Sequence, residues 1–312
     1  MKKSFLYIAV FLVALSLAAC GGNTPAVELP QTDVGPAPAE AQAEDASAEP
    51  ESAEEPPAAK PEPTAIPEPD FEPQSAEGQR IEFKATDGID LVGYYYPASI
   101  PDAPIILLMH WAGGDQTDWQ KNGMIDWLQN RSGNTSGMQS PTHQSVIYPL
   151  MPKGVSFAVF SFDFRGFGES SGAFSQEKGL FDAQGAYERA STLEGIDPNR
   201  IAGIGSSIGA DGVVDACADG CLGALSLSPG SYLTHSYEDE IQRLNDEKKI
   251  VTCVASEGDS YSLDTCEGAS GENYQIFIYA GDAHGDQLYQ NPPEGFTQMI
   301  FDWLITVFEI TS

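Results

Sequence analysis

Basic residues are scarce in this chain. It sets 15 lysines and arginines against 46 aspartates and glutamates, for a formal net charge of -31. So acidic a surface repels phosphate backbones and anionic headgroups, which argues against nucleic acid as a partner and against a face that hugs anionic lipid. Histidine is scarcer still, with four copies. Cysteine numbers five, with no Cys-x-x-Cys pair and no histidine cluster nearby. That pattern speaks against zinc. Large apolar residues are nearly absent from residues 21–78. Such a stretch buries too little surface to offset the entropy of ordering its backbone.

What that stretch holds instead is Pro56-Pro57, the run Lys60-Pro61-Glu62-Pro63, and many alanines and glutamates. Proline stiffens it and like charges spread it. We expect residues 20–78 to be a disordered, extended, acidic tether. Ahead of it, Lys2 and Lys3 precede an almost unbroken apolar run over residues 5–19. The run is too short to span a bilayer comfortably as a permanent helix. It closes on Leu17-Ala18-Ala19-Cys20, with Gly21 and Gly22 following. This segment resembles the lipobox of bacterial lipoproteins. The resemblance implies removal of residues 1–19 and lipidation of the Cys20 thiol. A domain so anchored would sit outside the cell membrane, with inner or outer membrane left open.

Residues 79–312 amount to one domain, long enough for a sizeable core. With Cys20 set aside, Cys217, Cys221, Cys253 and Cys266 remain, an even number that suggests two disulfides in an exported domain. Three pairings exist. Proximity favours Cys217 with Cys221 and Cys253 with Cys266.

Periodicity predicts a β-hairpin first, from strands at 80–84 and 91–96 around Asp87-Gly88. Continuous apolar runs at 105–109 and 155–162 read as strands buried on both faces. Further strands are expected at 200–204, 222–227, 250–255 and 275–279. Helices are expected at 115–129, 178–193, 208–218, 236–249 and 296–308, and a polar loop at 130–144. Strands alternating with helices predict an α/β fold: a mostly parallel central sheet flanked by helices, with an antiparallel N-terminal hairpin.

Ser207 lies in Gly205-Ser206-Ser207-Ile208-Gly209, between an expected strand and an expected helix. A serine at such a sharp turn presents its hydroxyl at the top of a sheet. The amides that open the following helix favour negative charge there. A hydroxyl needs a neighbouring base to become nucleophilic. His110 ends an early strand, His143 sits in the polar loop, and His235 precedes the strand of Cys253. His284, in Gly281-Asp282-Ala283-His284-Gly285, follows the last strand and is the candidate base. The candidate acid is Asp259, shortly after the strand at 250–255, with Glu257, Asp264 and Asp282 as alternatives. Amides of Ile208 and of Ala112, in His110-Trp111-Ala112-Gly113-Gly114, are the candidate oxyanion donors. Trp111 is the alternate donor. Its ring either packs in the core or walls the acyl pocket.

Together with Asp163-Phe164-Arg165-Gly166-Phe167-Gly168-Glu169-Ser170, these residues resemble α/β-hydrolase-fold proteins of the serine esterase and peptidase type. The chain order of serine, acid and histidine agrees. The resemblance spans residues 80–303, and in that family the stretch 163–170 is structural. One departure is Trp111, where the family usually has glycine. The resemblance implies cleavage of small carboxylic esters through an acyl-enzyme on Ser207, without metal or organic cofactor. The connection at 230–249 is too short for a large lid, which disfavours an interfacial lipase. A peptidase or amidase with the same residues, and an idle binding lipoprotein of the same fold, remain rivals. Oligomeric state is not legible.

Overall fold

A computed structural model describes residues 72–131, 138–139 and 146–311. The expectations for residues 1–19, for Cys20 and for the tether up to residue 71 lie outside the described residues. So does most of the loop at 130–144, including His143.

The elements in chain order are β1 (Gln79–Lys84), β2 (Asp90–Tyr96), β3 (Ala103–Met109), α1 (Asp118–Lys121), α2 (Met124–Gln129), β4 (Met138–Gln139) and β5 (Ile147–Tyr148). There follow β6 (Ala158–Phe162), α3 (Gln176–Ala190), β7 (Ile196–Ser206), α4 (Ile208–Asp215), β8 (Cys221–Leu227) and α5 (Tyr237–Asp246). The chain closes with β9 (Ile250–Ser256), α6 (Ser260–Gly268), β10 (Tyr274–Tyr279), α7 (Gln287–Gln290) and α8 (Phe296–Val307). Eight strands form one sheet in the order β1-β2-β6-β3-β7-β8-β9-β10. Strand β2 runs antiparallel to β1 and β6, and every pairing from β6 to β10 is parallel.

Side-chain alternation explains why β3 is apolar throughout. Ile105, Leu107 and Met109 of β3 enter the core on one face, with Val213, Ile241 and Leu244 from α4 and α5. Ile106 and Leu108 enter the opposite core, with Trp119, Met124 and Ile300 from α1, α2 and α8. A strand covered on both faces favours apolar residues at every position.

Several boundaries differ from the sequence expectation. The helix expected over 115–129 is two short helices. Gly123 adopts φ 84°, and the Asn122 side chain accepts from the Met124 amide at 3.0 Å, restarting the chain as α2. The strand expected at 155–162 starts at Ala158, α4 stops at Asp215, and α6 and α7 were not foreseen. Strand β10 is the larger correction. It lies at the sheet edge, and Ile276, Phe277 and Ile278 remain 36–38% exposed. Two disulfides are present, Cys217–Cys221 and Cys253–Cys266. The first closes the step from α4 to β8, and the second pins α6 to β9.

Candidate active site

Ser207 is the single residue between β7 and α4, at φ 54° and ψ -114°. A side-chain-bearing residue there is strained. Close packing holds it. A Cβ on Gly205 would fall 2.0 Å from the Gly209 carbonyl oxygen, and one on Gly209 would fall 2.2 Å from the Met109 oxygen. The chain therefore needs glycine on both sides of the serine. It turns sharply and runs its helix directly against the end of β3. Ile208 opens α4, so its amide has no acceptor within the helix and faces the same end of the sheet.

The structure brings three of the candidate residues together. Ser207 Oγ lies 2.9 Å from His284 Nε2, and His284 Nδ1 lies 2.7 Å from Asp259 Oδ2. A carboxylate accepts and does not donate, so Nδ1 carries the proton and Nε2 turns its lone pair to the serine hydroxyl. The Asp259 side chain is mostly buried and the His284 ring is about one-quarter exposed. Among the described residues, Glu257, Asp264 and Asp282 make no ion pair with the imidazole. Asp259 immediately precedes α6, which the Cys253–Cys266 disulfide fastens to β9.

The histidine loop hangs from hydrogen bonds rather than from packing. Ser256 Oγ donates to the Ala283 carbonyl at 2.8 Å. The Gly285 amide donates to Ser228 Oγ at 2.9 Å, and the His284 amide to Gln287 Oε1 at 2.9 Å. Nothing in the sequence marked Ser256 and Ser228 as partners, because they lie 27 and 57 residues before the residues they hold.

No protein-family profile matches the chain. It is 28% identical over 162 residues to the uncharacterized protein YfhR of Salmonella typhi, covering 50% of this chain and 46% of that protein. To YfhR of Escherichia coli K12 it is 30% identical over 154 residues, covering 48% and 44%. It thus spans less than half the length of these curated relatives. The esterase Pf2001 of Pyrococcus furiosus superposes with a TM-score of 0.55 at 16% identity, over 74% of this chain and 91% of that one. The α/β hydrolase GrgF from Penicillium superposes with a TM-score of 0.53 at 12% identity, over 75% and 100%. The domain has the α/β-hydrolase fold.

Other parts of the domain brace the site. His110 is buried, and its Nε2 accepts from the Phe164 amide at 3.1 Å. Its Nδ1 must then carry the proton, donated to the Trp111 carbonyl at 2.7 Å. Burial lowers the pKa of His110, which favours this neutral tautomer. The same Trp111 carbonyl also accepts from Gly114 at 3.3 Å, which curls the loop that carries Ala112. Ala112 itself is exposed.

Trp111 neither fills the core nor stands free as a wall. Its indole N–H donates to Asp118 Oδ2 at 3.1 Å, and its ring covers Gly113 and Gly114. A Cβ at Gly114 would fall 1.8 Å from Asp118 Oδ2. These glycines make room for the Trp111 ring.

The stretch 163–170 is a brace. Asp163 accepts from the Gln116 amide at 2.9 Å and the Glu169 amide at 3.0 Å. Arg165, buried, forks onto both Asp87 oxygens at 2.7 Å and reaches Asp182 at 2.8 Å. These contacts tie the loops after β3 and β6 to the N-terminal hairpin.

Proposed function

We propose that the protein is a serine hydrolase that cleaves carboxylic esters through an acyl-enzyme on Ser207. The observation that carries this reading is the unbroken hydrogen-bond chain from Ser207 Oγ through His284 to Asp259, on a strained elbow. An esterase among the structural neighbours agrees with it.

In this reading Ser207 Oγ attacks the acyl carbonyl carbon as its proton passes to His284 Nε2. The Asp259 carboxylate stabilises the imidazolium that forms. The carbonyl oxygen becomes an oxyanion, met by the amides of Ile208 and Ala112. Collapse breaks the bond to the alcohol, whose oxygen takes the proton back from Nε2. Water then repeats both steps on the acyl-enzyme and releases the acid.

Lipid anchoring through Cys20, and an extracytoplasmic location, belong to the same proposal. They rest on the signal-like segment at 1–19 and on the two disulfides, which persist in oxidising compartments.

A fluorophosphonate probe tests the catalytic part. The full chain should label, and Ser207→Ala should abolish labelling while leaving the thermal melt within about 1 kcal/mol of the parent. A folded protein that does not label would leave the reading without support. For the anchor, Cys20→Ser should move the protein from the membrane fraction to the soluble one. Persistence in the membrane fraction would refute lipidation there.

A further inference from the structure

One tyrosine stands beside the imidazole of His284, and a second stands beside the first. Tyr232 meets the ring edge-on, with centroids 6.2 Å apart and planes at 81°. Tyr261 touches Tyr232 in turn, at 5.7 Å and 42°. It follows Asp259 by two positions in α6 and keeps 58% of its surface exposed.

The loop that carries Tyr232 is held in a strained shape. Ser228 and Ser231 adopt φ of 57° and 49°, where residues other than glycine are uncommon. The bonds around them fix that shape. The buried Asp211 carboxylate accepts from the amides of Gly230, at 3.2 Å, and of Tyr232. Ser231 Oγ accepts from the Tyr237 amide at 3.0 Å. Gly230 lies under both rings. A Cβ there would fall 2.3 Å from Tyr232 Cζ and 2.6 Å from Tyr261 Cε1. Asp211 stands in the first turn of α4, one turn after Ser207. The nucleophile's helix and the tyrosine loop are thus locked together.

Chemistry says which part of a substrate meets these rings. The leaving oxygen takes its proton from His284 Nε2, so it must come within about 3 Å of that nitrogen. The group on that oxygen then lies against whatever flanks the imidazole. Here that is Tyr232. The two tyrosines are in contact, so no third ring slides between them. What they leave open is Tyr261, 58% exposed beside Tyr232. A flat ring suits such an aromatic surface by offset stacking or edge contact.

We infer that Tyr232 and Tyr261 form a subsite for a planar aromatic group in the alcohol portion of the ester. Asp211 is the positioning residue that holds their loop. The inference rests on the serine-hydrolase reading above.

Benzyl acetate and cyclohexylmethyl acetate test it, since they offer a flat and a puckered ring on similar leaving groups. The full chain should favour the benzyl ester in kcat/KM by roughly 2- to 10-fold, the range that ring–ring contacts support. Tyr261→Ala and Tyr261→Leu should bring the ratio to about 1, and Tyr261→Phe should keep it. Asp211→Asn should lower the ratio by raising KM for the benzyl ester more than it lowers kcat. Fluorophosphonate labelling at Ser207 reports a folded, armed site in each variant. Three results overturn the subsite alone: equal rates in the parent, a preference that survives loss of the Tyr261 ring, or cleavage of neither ester by a chain that labels. A parent chain that does not label overturns the hydrolase reading and the subsite with it.

Discussion

Ser207 and His284 meet at 2.9 Å, yet they come from opposite kinds of structure. The serine leaves β7, in the middle of the sheet, where Ala202 and Ile204 on one face and Val213 over the other are fully buried. The histidine follows β10, an edge strand with its apolar side chains more than one-third exposed. Packing fixes the first and hydrogen bonds fix the second. At the centre, the site is spoiled by an added atom. At the edge, it is spoiled by a missing one.

That contrast is open to direct attack. The largest expected effect is at the centre. Gly209→Ala drives a methyl against the Met109 and His110 carbonyls, at 2.2 and 2.7 Å, where backbone cannot yield cheaply. We expect a loss of about 3 kcal/mol or more in thermal or denaturant unfolding. A neutral result there would mean that packing does not set the nucleophile.

A second effect exposes a weakness in the packed half. Asp215 is buried in α4 with no hydrogen-bond partner on either carboxylate oxygen among the described residues, and burial pushes its carboxyl up to about 9. Asp211, one turn earlier, is pushed up to about 7, also chiefly by burial. Both folded values exceed the ordinary aspartate value of 3.8. Between about pH 4 and pH 9 the folded chain therefore keeps protons that the unfolded chain gives up. Stability must fall as pH rises through that window. Replacing Asp215 by leucine should recover about 1–3 kcal/mol at pH 8 and much less near pH 4, read as melting temperature against pH. An equal gain at both pH values would contradict the linkage.

The smallest effect on stability belongs to the edge. Removing the Ser256 hydroxyl that holds Ala283, or the Ser228 hydroxyl that holds Gly285, should cost about 1 kcal/mol of folding. Turnover should suffer more, roughly ten-fold in kcat, because a small displacement of the imidazole spoils the near-attack geometry. If Ser256→Ala lowers stability and activity in proportion, the edge is held by packing after all.

The same contrast explains what was legible in the sequence. Fold class, the hairpin and the serine's elbow could be read because each rests on local pattern. Apolar runs mark strands, and glycines two before and two after Ser207 mark the turn. Asp259 followed from its place after a strand, but sequence alone could not separate it from Glu257, Asp264 and Asp282. At the edge, the strand at 275–279 and His284 after it could be read, but not the strand's exposure. The segment Gln275-Ile276-Phe277-Ile278-Tyr279 is as apolar as a central strand, and only its place in the sheet order leaves it uncovered. The hydroxyls of Ser228 and Ser256 likewise gain meaning only when distant loops meet. The partner of Trp111 is the carboxylate of Asp118, seven residues on, which no motif links to it.

Rapid-quench mass spectrometry with p-nitrophenyl acetate bears most directly on the account. An acetyl group should accumulate, before steady turnover, on the peptide that contains Ser207, and His284→Ala should prevent it. Acylation elsewhere on the folded chain, or none at any time point, would contradict the claim that this imidazole arms this hydroxyl.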